Sequence, residues 1–79
     1  MASRKLERLK AGMSDRIAKI RGDRSQRAFA QDLGVYQQNV NRYEHGQTPH
    51  VDFLIRLALD EKVSLDWLLL GKGPMHRRR

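Results

Sequence analysis

Residues 25–46, SQRAFAQDLGVYQQNVNRYEHG, compress two helical patterns and a turn into 22 positions, and few folds accommodate that. In the first half Ser25 can accept a hydrogen bond from an orphan N–H as N-cap. Phe29, Ala30 and Leu33 then fall at i, i+1 and i+4 on one face. Gly34 ends the run and suits the left-handed conformation found just past a helix end. In the second half Val40 and Tyr43 point inward one turn apart, while Gln37, Gln38, Asn41 and Arg42 occupy the other faces until Gly46. The outward face of the second helix is therefore rich in directional hydrogen-bonding groups.

The remainder of the chain limits what this unit can be part of. A length of 79 residues, 39% of them hydrophobic, makes one small domain, too small to enclose a sizeable substrate cavity as well as a core. There is no cysteine, so neither disulfides nor a thiolate metal site is available and packing alone must hold the fold. No apolar run approaches the roughly 18–20 residues that span a bilayer, and MASRKLERLK lacks the apolar stretch of a secretory signal. A cytoplasmic location is expected. Sixteen Lys and Arg against nine Asp and Glu give a formal charge of +7, which favours polyanionic partners. The excess is uneven: residues 1–24 carry +5, residues 25–46 are neutral, residues 47–70 carry −2 and residues 71–79 carry +4. A nucleic-acid binder built this way would read with its middle and be drawn to the backbone by its ends.

In chain order, Leu6, Leu9, Met13, Ile17 and Ile20 recur at spacings of three or four, which suits an amphipathic helix interrupted by Gly12 and Ser14. Ser14 followed by Asp15 reads as a helix start, so a core helix is expected over 15–21, preceded by a basic arm or helix. After the central unit, Pro49 lies near the start of a helix marked by Val51, Leu54, Ile55, Leu57 and Ala58. Glu61 and Lys62 link it to a last helix capped by Ser64, with Asp66 in its first turn and Leu65, Leu68 and Leu69 expected to be its buried residues, ending at Gly71. KGPMHRRR has no apolar periodicity and is expected to be a mobile basic tail. The divisions are a basic segment at 1–13, a domain at 14–71 and a tail at 72–79, and the fold class is all-α, five short helices packed at steep angles.

From about Asp15 to Gly71 the chain resembles the phage Cro/repressor-type (XRE) helix-turn-helix family, through SQRAFAQDLGV, VNRYEHG, TPHVDFLIRLA and VSLDWLLLG taken together. The resemblance implies that residues 37–45 form a recognition helix for the major groove. By position in that motif, Gln37, Gln38, Asn41 and Arg42 would read bases, with Tyr36 touching a base or the backbone. Their chemistry suits the role independently: a glutamine amide matches adenine N6 and N7, and an arginine matches guanine O6 and N7. Tyr36 departs from the small polar residue usual in the family and is a poor N-cap, so either the helix start is satisfied elsewhere and the ring lies across the domain surface, or the ring is placed for sugar or a thymine methyl. Phosphate contacts are implied at Ser25, Gln26 and Arg27, then Gln47 and Thr48, with Arg24 as an addition. Glu44 matches an acid that pairs with an arginine late in the first helix, here Arg21.

Catalytic and metal readings fail on placement. His45, His50 and His76 have no paired helical spacing or carboxylate set around them, and no cofactor or metal is expected. Ser14, Ser25 and Ser64 read as caps. The expected function is a sequence-specific double-stranded-DNA-binding transcriptional repressor acting as a homodimer, not an enzyme. An alternative is an antitoxin or other regulator component whose domain binds a protein partner as well as or instead of DNA, for which an exposed strip including Trp67 and Leu70 would speak.

Overall fold

The computed structural model describes residues 4–77 and is built of α1 (Arg4–Arg21), α2 (Gln26–Leu33), α3 (Gln37–Glu44), α4 (Val51–Asp60) and α5 (Leu65–Leu70). Residues 1–3 of the expected basic arm, and Arg78 and Arg79 of the expected tail, lie outside the described residues. No helix among those described is long and apolar enough to cross a membrane.

All five helices feed one core: Met13, Ile17 and Ile20 from α1, Phe29 and Leu33 from α2, Val40 and Tyr43 from α3, Phe53 and Leu57 from α4, and Leu68 from α5. Ser25 caps α2 as its spacing predicts, accepting from the Ala28 N–H at 3.0 Å, and Ser64 caps α5 by accepting from the Trp67 N–H. Gly34 takes φ 70°, ψ 34°, the left-handed conformation that lets the chain turn sharply out of α2.

The first helix differs from the expectation. It is unbroken over 18 residues, with Ser14 buried mid-helix rather than capping a new start. A mid-helix glycine costs only about 1 kcal/mol and a serine less, and here Gly12 has a use. A Cβ at that position would come within 2.8 Å of an Arg16 guanidinium nitrogen. The bare backbone leaves room for Arg16 to donate from Nε to the Leu68 carbonyl at 2.7 Å and from Nη2 to the Leu9 carbonyl at 3.2 Å. The side chain thus ties α1 to the end of α5.

In α4 the apolar residues that mark the helix do not all face inward. Phe53 takes the core position, its ring 4.7 Å from that of Tyr43 and inclined at 60°, an arrangement favoured between aromatic quadrupoles. Anchoring the helix there leaves Val51 59% and Ile55 48% exposed.

The segment after α5 is docked rather than mobile as far as residue 77. The Ser64 N–H donates to the Met75 carbonyl at 2.8 Å and the Arg77 N–H to the Lys62 carbonyl at 3.0 Å, closing an isolated antiparallel bridge between Val63 and His76. Met75 packs against the core, and the Arg77 guanidinium donates to the Ala58 carbonyl at 2.9 Å. A pairing this short has no periodicity to betray it in sequence.

Truncation after Gly73 should therefore remove two backbone hydrogen bonds and uncover Val63, lowering the unfolding free energy by about 1–3 kcal/mol. Urea denaturation of the truncated chain measures this, and an unchanged midpoint would mean that the segment does not contribute.

Candidate nucleic-acid interface

Recognition by a short helix requires that its polar side chains share one solvent face and that its other face be held firmly. With about 100° of rotation per residue, burial of Val40 and Tyr43 points one side of α3 at the core. Gln37, Asn41, His45, Gln38 and Arg42 then follow one another around the opposite side within an arc of about 140°, and all five are exposed. The four residues expected to read bases are thus brought onto one surface. His45, which sequence reasoning did not place in the site, stands in the middle of that arc. Its signal was available: it lies four residues beyond Asn41 and eight beyond Gln37. The His45 Nδ1 lies 2.7 Å from the Asn41 carbonyl oxygen. Because that oxygen can only accept, Nδ1 is the donor in this bond.

Tyr36 occupies the N-cap position of α3 in extended backbone, makes no side-chain capping bond and is 78% exposed. Its ring thus stands clear at the end of α3 from which the family's recognition helices approach base edges. Of the residues expected at phosphate, Ser25, Arg27, Gln47 and Thr48 are exposed. The Ser25 hydroxyl is engaged as the α2 cap. Gln26 is half-buried, and its amide donates to Glu44 Oε1 at 3.1 Å.

Arg24 is placed differently from the expectation. Its Nε donates to the Arg21 carbonyl at 3.0 Å. Nη1 donates to Asp32 and Glu61 at 3.1 Å each, and Nη2 to the Ile20 carbonyl at 2.9 Å and Glu61 at 2.8 Å. These bonds use all five N–H groups of the guanidinium, which also lies 4.7 Å above the Phe29 ring. Arg24 clasps the α1–α2 turn to the end of α4 and has no donor left over for a phosphate. Only a side-chain map could have revealed this, since Asp32 and Glu61 are 8 and 37 residues away.

The other face of the site is held by Glu44, whose side chain is only 6% exposed. Arg21 meets it with two parallel bonds, Nε to Oε2 at 2.8 Å and Nη2 to Oε1 at 3.0 Å, the fork geometry in which guanidinium and carboxylate are most strongly matched. Arg21 Nη1 donates in turn to the Arg24 carbonyl at 2.8 Å. The end of α1, the start of α2 and the end of α3 therefore converge on one carboxylate.

A family model described as the bacteriophage CI repressor helix-turn-helix domain matches residues 12–76, a span that contains every residue of this surface and omits the first turns of α1. No solved structure matches the chain.

Burial pushes the Glu44 carboxyl up, but the hydrogen bonds from Arg21 and Gln26, with the charges of Arg21 and His45, outweigh it and hold the group below its ordinary range. A carboxyl depressed on folding contributes stability that is present above its unfolded value, about 4.3 for glutamate, and disappears as pH falls through the lower folded value. Glu44→Gln should cost about 1–3 kcal/mol at neutral pH, and the gap from the parent should narrow on acidification below about pH 4. Urea titrations of both proteins across that range check it; a constant gap would remove the ionised Glu44 from the account.

Proposed function

The chain belongs to the bacteriophage CI repressor helix-turn-helix family and is a DNA-binding regulatory domain; from that premise we propose that it is a cytoplasmic transcriptional repressor binding a pseudo-palindromic operator as a homodimer. The observation that carries this reading is the contiguous exposed arc of Gln37, Gln38, Asn41 and Arg42 on a helix fastened from behind by Val40, Tyr43 and Glu44. Such a helix enters the major groove with its start nearest the bases. Gln37 and Gln38 pair with adenine edges, Arg42 with a guanine, and Asn41 with a base or a neighbouring phosphate. Tyr36, at the leading end, packs its exposed ring on a thymine methyl or a sugar.

Backbone positioning falls to Arg27 and to the N–H groups opening α2, where the helix dipole favours an anion. Gln47 and Thr48 hold the strand beyond α3. Gln26 serves in two ways, its amide bracing Glu44 and its backbone at the start of α2 facing phosphate. Arg24 is left out of the phosphate set because its donors are used within the domain.

One recognition helix reads only a few base pairs, and two half-sites a helical turn apart multiply the discrimination. The molecule measures 38 × 32 × 21 Å along its principal axes, so two copies side by side fit over major-groove faces about 34 Å apart. The protein-partner reading draws less support: Trp67 packs against the core, and although Leu65, expected to be buried, is 42% exposed, it and Leu70, 46% exposed, stand five residues apart on different faces of α5.

Selection from a random duplex pool at physiological salt tests the proposal. Enrichment of an inverted repeat with half-site centres about 10 base pairs apart is expected; binding that is sequence-blind and vanishes as salt rises would overturn it. On the selected operator, Arg42→Ala should relax preference at one guanine per half-site, at about 1–3 kcal/mol each. Arg27→Ala should instead weaken every sequence alike and lower the salt slope by about one for each phosphate it no longer neutralises.

A further inference from the structure

The outer side of α4 carries two adjacent rows. Val51, Ile55 and Leu59, one turn apart, are 59%, 48% and 63% exposed. Beside them run Asp52, Arg56 and Asp60, all exposed, and a shallow groove lies between the rows. Among the described residues the other exposed large aliphatic side chains, Leu6, Leu65 and Leu70, do not form such a run with one another. Three large apolar residues in helical register on a solvent face mark an interaction surface.

We infer that this face docks a second copy of the chain, with the two α4 helices antiparallel across a two-fold axis at Ile55. Two features of the surface favour that occupant. A two-fold interface must be self-complementary, and a row centred on Ile55 sets Val51 against the partner's Leu59 and Ile55 against the partner's Ile55. Moreover, two copies carrying +7 each repel over most of their surface. Asp52, Arg56 and Asp60 together carry −1, whereas the exposed first turns of α1 hold Arg4, Lys5, Arg8 and Lys10 against Glu7. Approach through α4 is the route least opposed by charge.

The patch is small. Stable interfaces bury about 800 Å² per partner, and a single row of three side chains with its charged margin is short of that. The dimer is weak in free solution and is reinforced when paired half-sites hold two copies at high effective concentration. This inference rests on the homodimer reading above, but its test is run without DNA, so that a failure here is distinct from a failure to find an operator.

The chain has no cysteine, so Ile55→Cys introduces a single thiol, and Leu70→Cys supplies a control of matched exposure, 46% against 48%. A disulfide requires Cα atoms within about 7 Å, which an axis at residue 55 provides. Under mild oxidation I55C should form a covalent dimer at least about tenfold faster than L70C. In sedimentation equilibrium, Ile55→Asp should weaken self-association by about tenfold or more with an unaltered thermal melt. Equal cross-linking of the two cysteine variants, undiminished association of I55D, or a parent chain that stays monomeric to its solubility limit would each overturn the assignment.

Discussion

The bond between Arg21 and Glu44 is the contact on which the working surface depends. Helix α3 is eight residues long, far below the length at which an isolated helix is stable in water, and its outward face consists of long polar side chains that gain little by packing. Its inward face offers only Val40 and Tyr43. The orientation of that helix must be set by something directional, and a two-pronged guanidinium–carboxylate pair is directional in a way that apolar contact is not. Because Glu44 is nearly buried and also accepts from Gln26, removing either arginine or acid strands a charge in a poorly solvated place, which is costlier than the pair is favourable. The same atoms connect α1, α2 and α3, so the start of α2 and the polar face of α3 are fixed relative to one another.

The distribution of guanidinium groups refines what net charge suggests. Arg16, Arg21 and Arg24 are all spent on internal carbonyls and carboxylates, and Arg77 on the Ala58 carbonyl. These arginines act as mortar between short helices, a use for which the planar five-donor fork is suited and lysine is not. In the proposed complex, attraction to a phosphate backbone falls to exposed bases, Arg27 and Arg42 among them. The long basic stretch of α1 acts as a diffuse field.

Helix α4 shows how one packing choice creates a surface. Once Phe53 is set against Tyr43, the helix rotation is determined, and Val51, Ile55 and Leu59 are delivered to solvent whatever their hydrophobicity. The contact that steadies α3 from behind is therefore also the contact that exposes the apolar row. The proposed reading face and the proposed docking face are thus mechanically close, separated by a single pair of aromatic rings.

Local signals determined the helices of the central unit, the caps of α2 at Ser25 and of α5 at Ser64, the turn at Gly34 and the polar face of α3, because each depends on residues within one or two turns of one another. The pairing of Arg21 with Glu44 was legible only by likeness to a family, since nothing local relates positions 23 apart. Tertiary structure alone decided the continuity of α1 through Gly12 and Ser14, where an arginine bound to the far end of α5 outweighs a weak helix propensity. It alone decided the docking of residues 72–77, the saturation of Arg24 and the rotation of α4. Each of those outcomes is a competition between groups distant in sequence for the same carbonyl, carboxylate or core position, and such a competition has no winner until the chain is folded.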